Sequence, residues 1–238
     1  MKKTTLFLLL VFTCSFISAQ SLVGAWERFE TTKDGKQLHN VVIFSDGFQV
    51  STWYDAKSGE FLSTNGGSWK LIGKTITETV EFDTETPERV GSTTSFDINV
   101  SKTKLKATAM KMTWTRIDNG APGALAGAWL MSGRKRDGEG EIQQRDTNRP
   151  RKTMKILSGT RFQWIAYNTE TKKFSGTGGG TYTTIDGKYT ENIEFFSRDN
   201  SRVGASLGFN YELVDSKWHH SGKSSKGAPL YEVWSIRK

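Results

Sequence analysis

Apolar and polar positions alternate with a period of two over much of this chain, as in Phe162, Trp164 and Ala166, or Tyr189, Glu191, Ile193 and Phe195. That spacing puts alternate side chains on one face of an extended strand, whereas a helix would repeat near 3.6. Turn-forming groups interrupt the runs at Ser45-Asp46-Gly47, Lys57-Ser58-Gly59, Asp186-Gly187 and Asp215-Ser216. Asp186-Gly187 falls between Thr181-Tyr182-Thr183-Thr184 and Tyr189, where a tight hairpin needs positive φ. The pattern predicts an all-β protein of antiparallel strands joined by short turns. A short meander leaves two unpaired edges, so it must close on itself or pair with a twin.

The start of the chain departs from this alternation. Lys2 and Lys3 precede the apolar run Leu6 to Phe12, which ends in the small residues Ser18-Ala19. This is the order of a secretory signal, predicting cleavage after Ala19 and a periplasmic or extracellular mature protein. The run is too short to cross a bilayer core of ~30 Å.

The pattern occurs twice. Leu22-Val23-Gly24-Ala25-Trp26 recurs as Leu125-Ala126-Gly127-Ala128-Trp129, an offset of 103 residues. Further along the offset is 113, matching Tyr54 with Tyr167, Phe61 with Phe174, Gly66-Gly67 with Gly179-Gly180, Glu78 with Glu191, Glu81 with Glu194, Arg89 with Arg202 and Phe96 with Phe209. The second copy therefore holds ten extra residues soon after its Trp, within the Arg-rich, Gly-rich segment 133–152, which reads as a long first loop. Asp118 to Gly123 has the composition of a connector. The expected division is a signal over 1–19, one domain over 20–118, a linker over 119–123 and a second domain over 124–238, each copy a meander of about six to eight strands.

Composition narrows the chemistry. Cys14 is the only cysteine and lies in the signal, so the mature chain has neither disulfides nor thiolate metal sites, and packed cores must hold it together. Of the formal charge of +8, nearly all that survives removal of the signal sits in the second copy, with 19 Lys and Arg against 12 Asp and Glu, compared with 12 against 13 in the first. The excess concentrates in Arg134-Lys135-Arg136, Arg145, Arg149, Arg151, Lys152 and Lys155. An exported protein is not expected to meet nucleic acid. A solvated loop over 133–155 able to touch anionic headgroups, acidic glycans or an acidic ligand is the expectation instead.

Gly24-Ala25-Trp26 and Gly127-Ala128-Trp129 form a Gly-x-Trp at the start of each copy, and each copy ends on a basic strand, Thr113-Trp114-Thr115-Arg116 and Val233-Trp234-Ser235-Ile236-Arg237. With Gly179-Gly180-Thr181-Tyr182 and the run Tyr189 to Phe195 between them, each copy resembles a lipocalin or calycin domain, and in particular the small lipocalin-like domains of secreted bacterial proteins. The resemblance implies two tandem up-and-down β-barrels, each with its first-strand Trp plugging one end and a closing-strand Arg packed across the ring. Such a stack adds ~0.5–2 kcal/mol. Arg116 follows its Trp by two residues and Arg237 by three, which changes strand face, so Lys238 rivals Arg237 as the second cap.

A barrel of this size holds one small ligand or is filled by its own side chains. The second copy carries the better lining, and the residues expected to bind are Trp164, Tyr182, Glu191, Arg202, Phe209, Trp218 and His220. If these aromatic groups only fill a core, the protein is an interaction module working through its outer faces and the basic loop. Glu78 and Glu191 share a strand face with Val80 and Phe82, and with Ile193 and Phe195, so each is expected inside. There it needs a cationic partner, for which Arg89 and Arg202 are the candidates. His39, His219 and His220 show no metal-ligand spacing, and no Ser sits in a nucleophile elbow. The expectation is a non-catalytic binding protein for a small apolar or amphipathic molecule, without cofactor or metal. A catalyst would need Glu191 and His220 together at a water-accessible pocket.

Overall fold

The structure is a computed structural model and describes residues 21–121, 123–224 and 227–238. The expected signal over 1–19, with Cys14, lies outside the described residues.

The first copy forms β1 (Gly24–Thr31), β2 (Gln37–Ser45), β3 (Phe48–Asp55), β4 (Phe61–Ile72), β5 (Thr75–Asp83), β6 (Thr93–Val100), β7 (Lys104–Ala107) and β8 (Met112–Asp118). Each strand pairs antiparallel with the next, and β8 returns to β1, closing an eight-stranded barrel with no free edge. The second copy forms β9 (Gly127–Arg136), β10 (Glu139–Gln144), β11 (Arg151–Leu157), β12 (Arg161–Asn168), β13 (Phe174–Ile185), β14 (Lys188–Phe196), β15 (Ser206–Val214), β16 (Lys217–Lys223) and β17 (Pro229–Ile236). Pairing of β17 with β9 closes the second barrel.

The ten extra residues are not the irregular loop expected over 133–152. They extend β9 and add β10, which pairs with the outer half of β9 around Arg134 and Arg136. The inner half, Gly127 to Leu130, pairs with β11. The reason is backbone satisfaction: beyond Leu130 β17 pairs one side of the extended β9, and the hairpin supplies the partner on the side that β11 leaves.

Gly66-Gly67 and Gly179-Gly180 mark the corners of the two barrels. The register of β4 on β5 slips between Gly66 and Gly67, and that of β13 on β14 between Gly179 and Gly180. A Cβ on Gly67 would lie 2.0 Å from the Thr79 carbonyl oxygen, and one on Gly180 2.0 Å from that of Asn192. Only glycine permits this approach, and the bulge bends each sheet toward closure.

Several strands are apolar on both faces, and the packing of the barrels on each other explains it. In β2, Val42 and Phe44 point into the first barrel, while Val41 and Ile43 face outward into a cluster with Met154, Ile156, Ile165 and Tyr167 of the second. A strand covered on both sides loses its alternation and reads as a continuous apolar run, here Val41-Val42-Ile43-Phe44.

The contact has the reciprocity of a two-fold interface. Tyr54 Oη donates to Glu194 Oε2 at 2.7 Å, and its repeat mate Tyr167 donates to Glu81 Oε2 at 2.5 Å. Tyr54 stacks on Phe195 with centroids 4.9 Å apart, and Tyr167 packs on Phe82 at 4.8 Å. Phe61 and Phe174 stack on each other at 6.0 Å with rings 10° from parallel, as mates must where the local axis passes between them. Residue i meeting j′ while j meets i′ is the signature of a self-complementary surface, here joined within one chain. Between the sheets, Gln163 accepts from Thr52 Oγ1 at 2.7 Å and donates to Thr64 and Thr177, so its amide is satisfied without water.

Candidate functional site

In the first barrel the indole of Trp26 is wholly buried, and its Nε1 donates to the Leu22 carbonyl at 2.9 Å. The Arg116 guanidinium lies 3.8 Å from the ring centroid and donates to the carbonyls of Ser21, Val23 and Lys102. One cation thus covers the plug and satisfies backbone acceptors at the barrel's end.

The second barrel repeats the plug without the cover. Trp129 Nε1 donates to the Leu125 carbonyl at 2.9 Å, and its ring meets Trp218 edge-on at 5.8 Å. Arg237, expected over Trp129, instead points outward into the contact between barrels. There it bonds Glu81 Oε1 at 2.6 Å and Tyr167 Oη at 3.1 Å and lies over Phe48. The third residue after Trp234 falls on the opposite strand face, and that parity decides the outcome. Among the described residues no cation stacks on Trp129.

Inside the second barrel Glu191 is buried as expected, but its partner is not Arg202. Lys155 Nζ donates to Glu191 Oε1 at 2.7 Å, with both side chains below a tenth exposed. Arg202 lies at the end of a 3-10 turn, where it pairs with Asp199 at 3.2 Å. Lys155, read from the sequence as a loop cation, sits in β11 between Met154 and Ile156 and points inward. Its ammonium lies 5.0 Å from the Tyr189 and Trp218 rings, 5.4 Å from Trp234 and 5.9 Å from Phe209. Rings that present their faces to the cation replace part of the lost hydration.

Beside this pair, His220 Nδ1 is 3.3 Å from Glu232 Oε2, which also accepts from Trp234 Nε1. Burial lowers the His220 pKa, helped by the Lys155 charge. Burial opposes ionisation of Glu232, yet the hydrogen bond with His220, the Lys155 charge and the Trp234 hydrogen bond leave its carboxyl below the ordinary range. A neutral His220 with its proton on Nδ1 leaves Nε2 without a partner among the described residues. Trp164, Glu191, Phe209 and His220 line a cup of about 280 Å³ with Lys155, Glu232 and Trp234. Trp218 lies beneath that floor, against Lys155 and Trp234. Tyr182 is committed to the wall, donating to the Ser158 carbonyl at 2.6 Å.

The first barrel, which the sequence reading passed over, holds a cavity of about 270 Å³. Val42, Ile76, Phe96, Leu105, Trp53 and Trp114 form its apolar wall, and Asn40, Ser51, Asn65 and Glu78 its polar points. Trp26 and Trp69 are not among the lining residues, so the closed end lies beyond the cavity floor. Trp114 Nε1 donates to Asn40 Oδ1 at 2.6 Å, and Asn40 donates on to Ser51, which fixes one wall. Glu78 faces this space with no hydrogen bond or ion pair among the described residues. Burial pushes its carboxyl up to about 7, with the charge of Arg89 opposing only in part. Arg89, the expected partner, bonds Asp83 at 2.8 Å.

Each copy is a closed, lipocalin-like barrel. Its eight antiparallel staves in sequence order and its indole-plugged end carry that description. The chain is similar to a solved lipocalin-like protein from Bacteroides uniformis, at 14% identity and a TM-score of 0.34, covering 48% of this chain and 100% of that one. It is similar also to a solved protein from Bacteroides eggerthii, at 14% identity and a TM-score of 0.32, covering 47% of this chain and 98% of that one. No protein-family model and no curated relative matches the chain.

The two lipocalin-like barrels are joined by more than a linker. Asp118, at the end of β8, accepts through Oδ2 from Ser158 Oγ at 2.8 Å and from Thr160 N and Oγ1, and through Oδ1 from Gly120 N and Gly159 N. Burial opposes its charge, but these donors prevail and hold its carboxyl below the usual range. Its contribution is therefore present above the unfolded value of ~3.9 and lost as pH falls through the lower folded value. Asp118→Ala is expected to cost about 1.5–3 kcal/mol at pH 7, with the gap from wild type narrowing toward pH 3. Urea unfolding at the two pH values checks this, and an equal gap at both contradicts it.

Outside the second barrel, Arg145, Arg149, Arg151 and Lys152 line a hollow of about 200 Å³ in which Asp146 is the one acid. Burial lowers the Arg145 pKa, and repulsion from Arg134, Arg151 and Arg149 lowers it further.

Proposed function

We propose that the protein is an exported, non-catalytic binding module that carries a small amphipathic molecule inside a lipocalin-like barrel, with the first barrel as the principal chamber. The observation that carries this reading is the 270 Å³ lumen of that barrel, walled by apolar side chains and holding one carboxyl group without a close partner. A filled core has no use for a partly buried carboxyl group without a close partner, which costs stability unless a ligand or a proton satisfies it. Each ligand methylene buried against the wall contributes roughly 0.8 kcal/mol, and the polar points set orientation.

The second barrel's cup is of similar volume, about 280 Å³, but its buried carboxylates already have partners, which favours the first barrel as chamber over the copy-two site expected from the sequence. Tyr189 stands where the first barrel has Ile76, Trp218 where it has Leu105, and His220 where it has Ala107. These larger groups pack around Lys155 and Glu191, which still line the cup. Glu191 and His220 do line one cup, as a proton-transfer site would require, but Lys155 and Glu232 already engage them. This mutual satisfaction supports a carrier over a catalyst.

Native mass spectrometry of the protein from its own host tests the reading. The expected spectrum shows one small molecule per chain, and Leu105→Trp, which copies the second barrel's Trp218 into the first, removes it. An adduct of unchanged occupancy in the Leu105→Trp variant places the ligand elsewhere and defeats the reading.

A further inference from the structure

We propose that the first barrel binds a primary amine on a short apolar body, its ammonium seated against Glu78 where the second barrel seats Lys155. This rests on the lumen-binding reading above and names the ligand class for it.

The second barrel supplies the template. Glu78 and Glu191 are repeat mates, and so are Val42 and Lys155. Val42 lies opposite Trp26 in the pairing of β2 with β1, and Lys155 opposite Trp129 in that of β11 with β9, so the two share a register position. In the second barrel an ammonium at the end of that side chain meets the carboxylate at 2.7 Å within a ring of aromatic faces. In the first, Val42 stops short and the same carboxyl group faces open lumen.

Part of the aromatic surround is retained. Phe96 is the mate of Phe209, Trp114 stands on the closing strand as Trp234 does, and both line the cavity. The cations near the mouth already have carboxylates of their own: Arg89 bonds Asp83 at 2.8 Å, and Arg28, against the Trp53 and Trp114 rings, bonds Glu30 at 2.5 Å. Glu78 is thus the one acid of the lumen without an ion pair, its charge offset only in part by Arg89, which also lines the cavity and is held by Asp83. At ~30 Å³ per water in the liquid, 270 Å³ equals roughly nine waters, a space suited to a ligand of about nine non-hydrogen atoms. A carboxylate ligand would meet like charge there, and an alcohol would leave Glu78 without a counter-ion.

The test is isothermal titration of the full mature chain with octylamine, octanol and octanoate. At pH 8 Glu78, pushed up to about 7, is mostly ionised and the amine, near ~10.4, is protonated. Octylamine is expected to bind at least tenfold more tightly than octanol there, and to lose most of that advantage at pH 5, where Glu78 is protonated. Glu78→Gln is expected to make the two ligands equal, and Val42→Lys, which builds in the cation of the second barrel, to abolish octylamine binding. Equal affinity of amine and alcohol for wild type, or an unchanged amine preference in Glu78→Gln, overturns the amine assignment and leaves lumen binding standing. Failure of all three ligands to bind overturns both. Should Val42→Lys not fold, the Glu78→Gln comparison decides alone.

Discussion

Replacing Lys155 with valine, the residue that the first barrel carries at the same register, is expected to destabilise the protein by about 3–5 kcal/mol at pH 8. Lys155 and Glu191 are 2.7 Å apart and both nearly inaccessible, so removing the cation strands a carboxylate among aromatic rings. The cost is that of the orphaned charge, and the net worth of the intact pair is much smaller. Two consequences separate this account from simple loss of packing. Without its partner, Glu191 should have a folded pKa raised above its unfolded one, so the folded variant binds the extra proton. The penalty is then full above that raised value and shrinks as pH falls below it, in a higher pH window than the loss at Asp118. The double variant Lys155→Val, Glu191→Leu should recover most of the lost stability, because no charge remains to be buried. Urea unfolding of both variants at pH 8 and pH 5 provides the check. A double variant no better than the single one would mean that Lys155 acts through its methylene stem.

Ile165→Asp is expected to cost at least as much and to change the form of the unfolding transition. Ile165 is fully buried, yet it faces out of its own barrel, within the cluster shared with Val41, Ile43 and Tyr54. An aspartate there enters an apolar cluster in which Arg237, in contact with the neighbouring Met154, is already held by Glu81, so the barrels must part or the residue must take up a proton, at a cost above about 4 kcal/mol. Each barrel is closed by its own strand pairs and keeps its own interior cluster, so separation need not unfold either one. Calorimetry should show one cooperative transition in wild type and two in Ile165→Asp. Ile165→Thr, which copies the first barrel's Thr52, should keep one transition at a modestly lower temperature. A single unshifted transition in Ile165→Asp would mean that the shared cluster is not what couples the barrels.

Much of this architecture is legible in the residues. Alternation at Phe162, Trp164 and Ala166 foretells strands, and the offsets of 103 and 113 foretell two copies. The same offset held the answer for Lys155, since 113 residues earlier lies Val42, inside an unmistakable strand. The neighbouring Arg151 and Lys152 mask that register by making Lys155 part of a basic run. Arg237 was misplaced because its strand parity differs from that of Arg116, which the three-residue spacing already implied. The outward-facing Val41, Ile43, Met154 and Ile156 were visible as apolar runs, but nothing in a run says which surface will cover it.

The sequence by itself determined what is local and periodic: the strands, their turns, the paired glycines at the bends, the doubling, and the indole at the head of each copy. These follow from backbone sterics and from the two-residue repeat of an extended chain. Only the tertiary structure decided which carboxyl group finds a cation and which does not, and that the halves meet about a local two-fold. Those outcomes depend on side chains distant in the chain competing for one volume, and an identical glutamate meets lysine in one barrel and open space in the other.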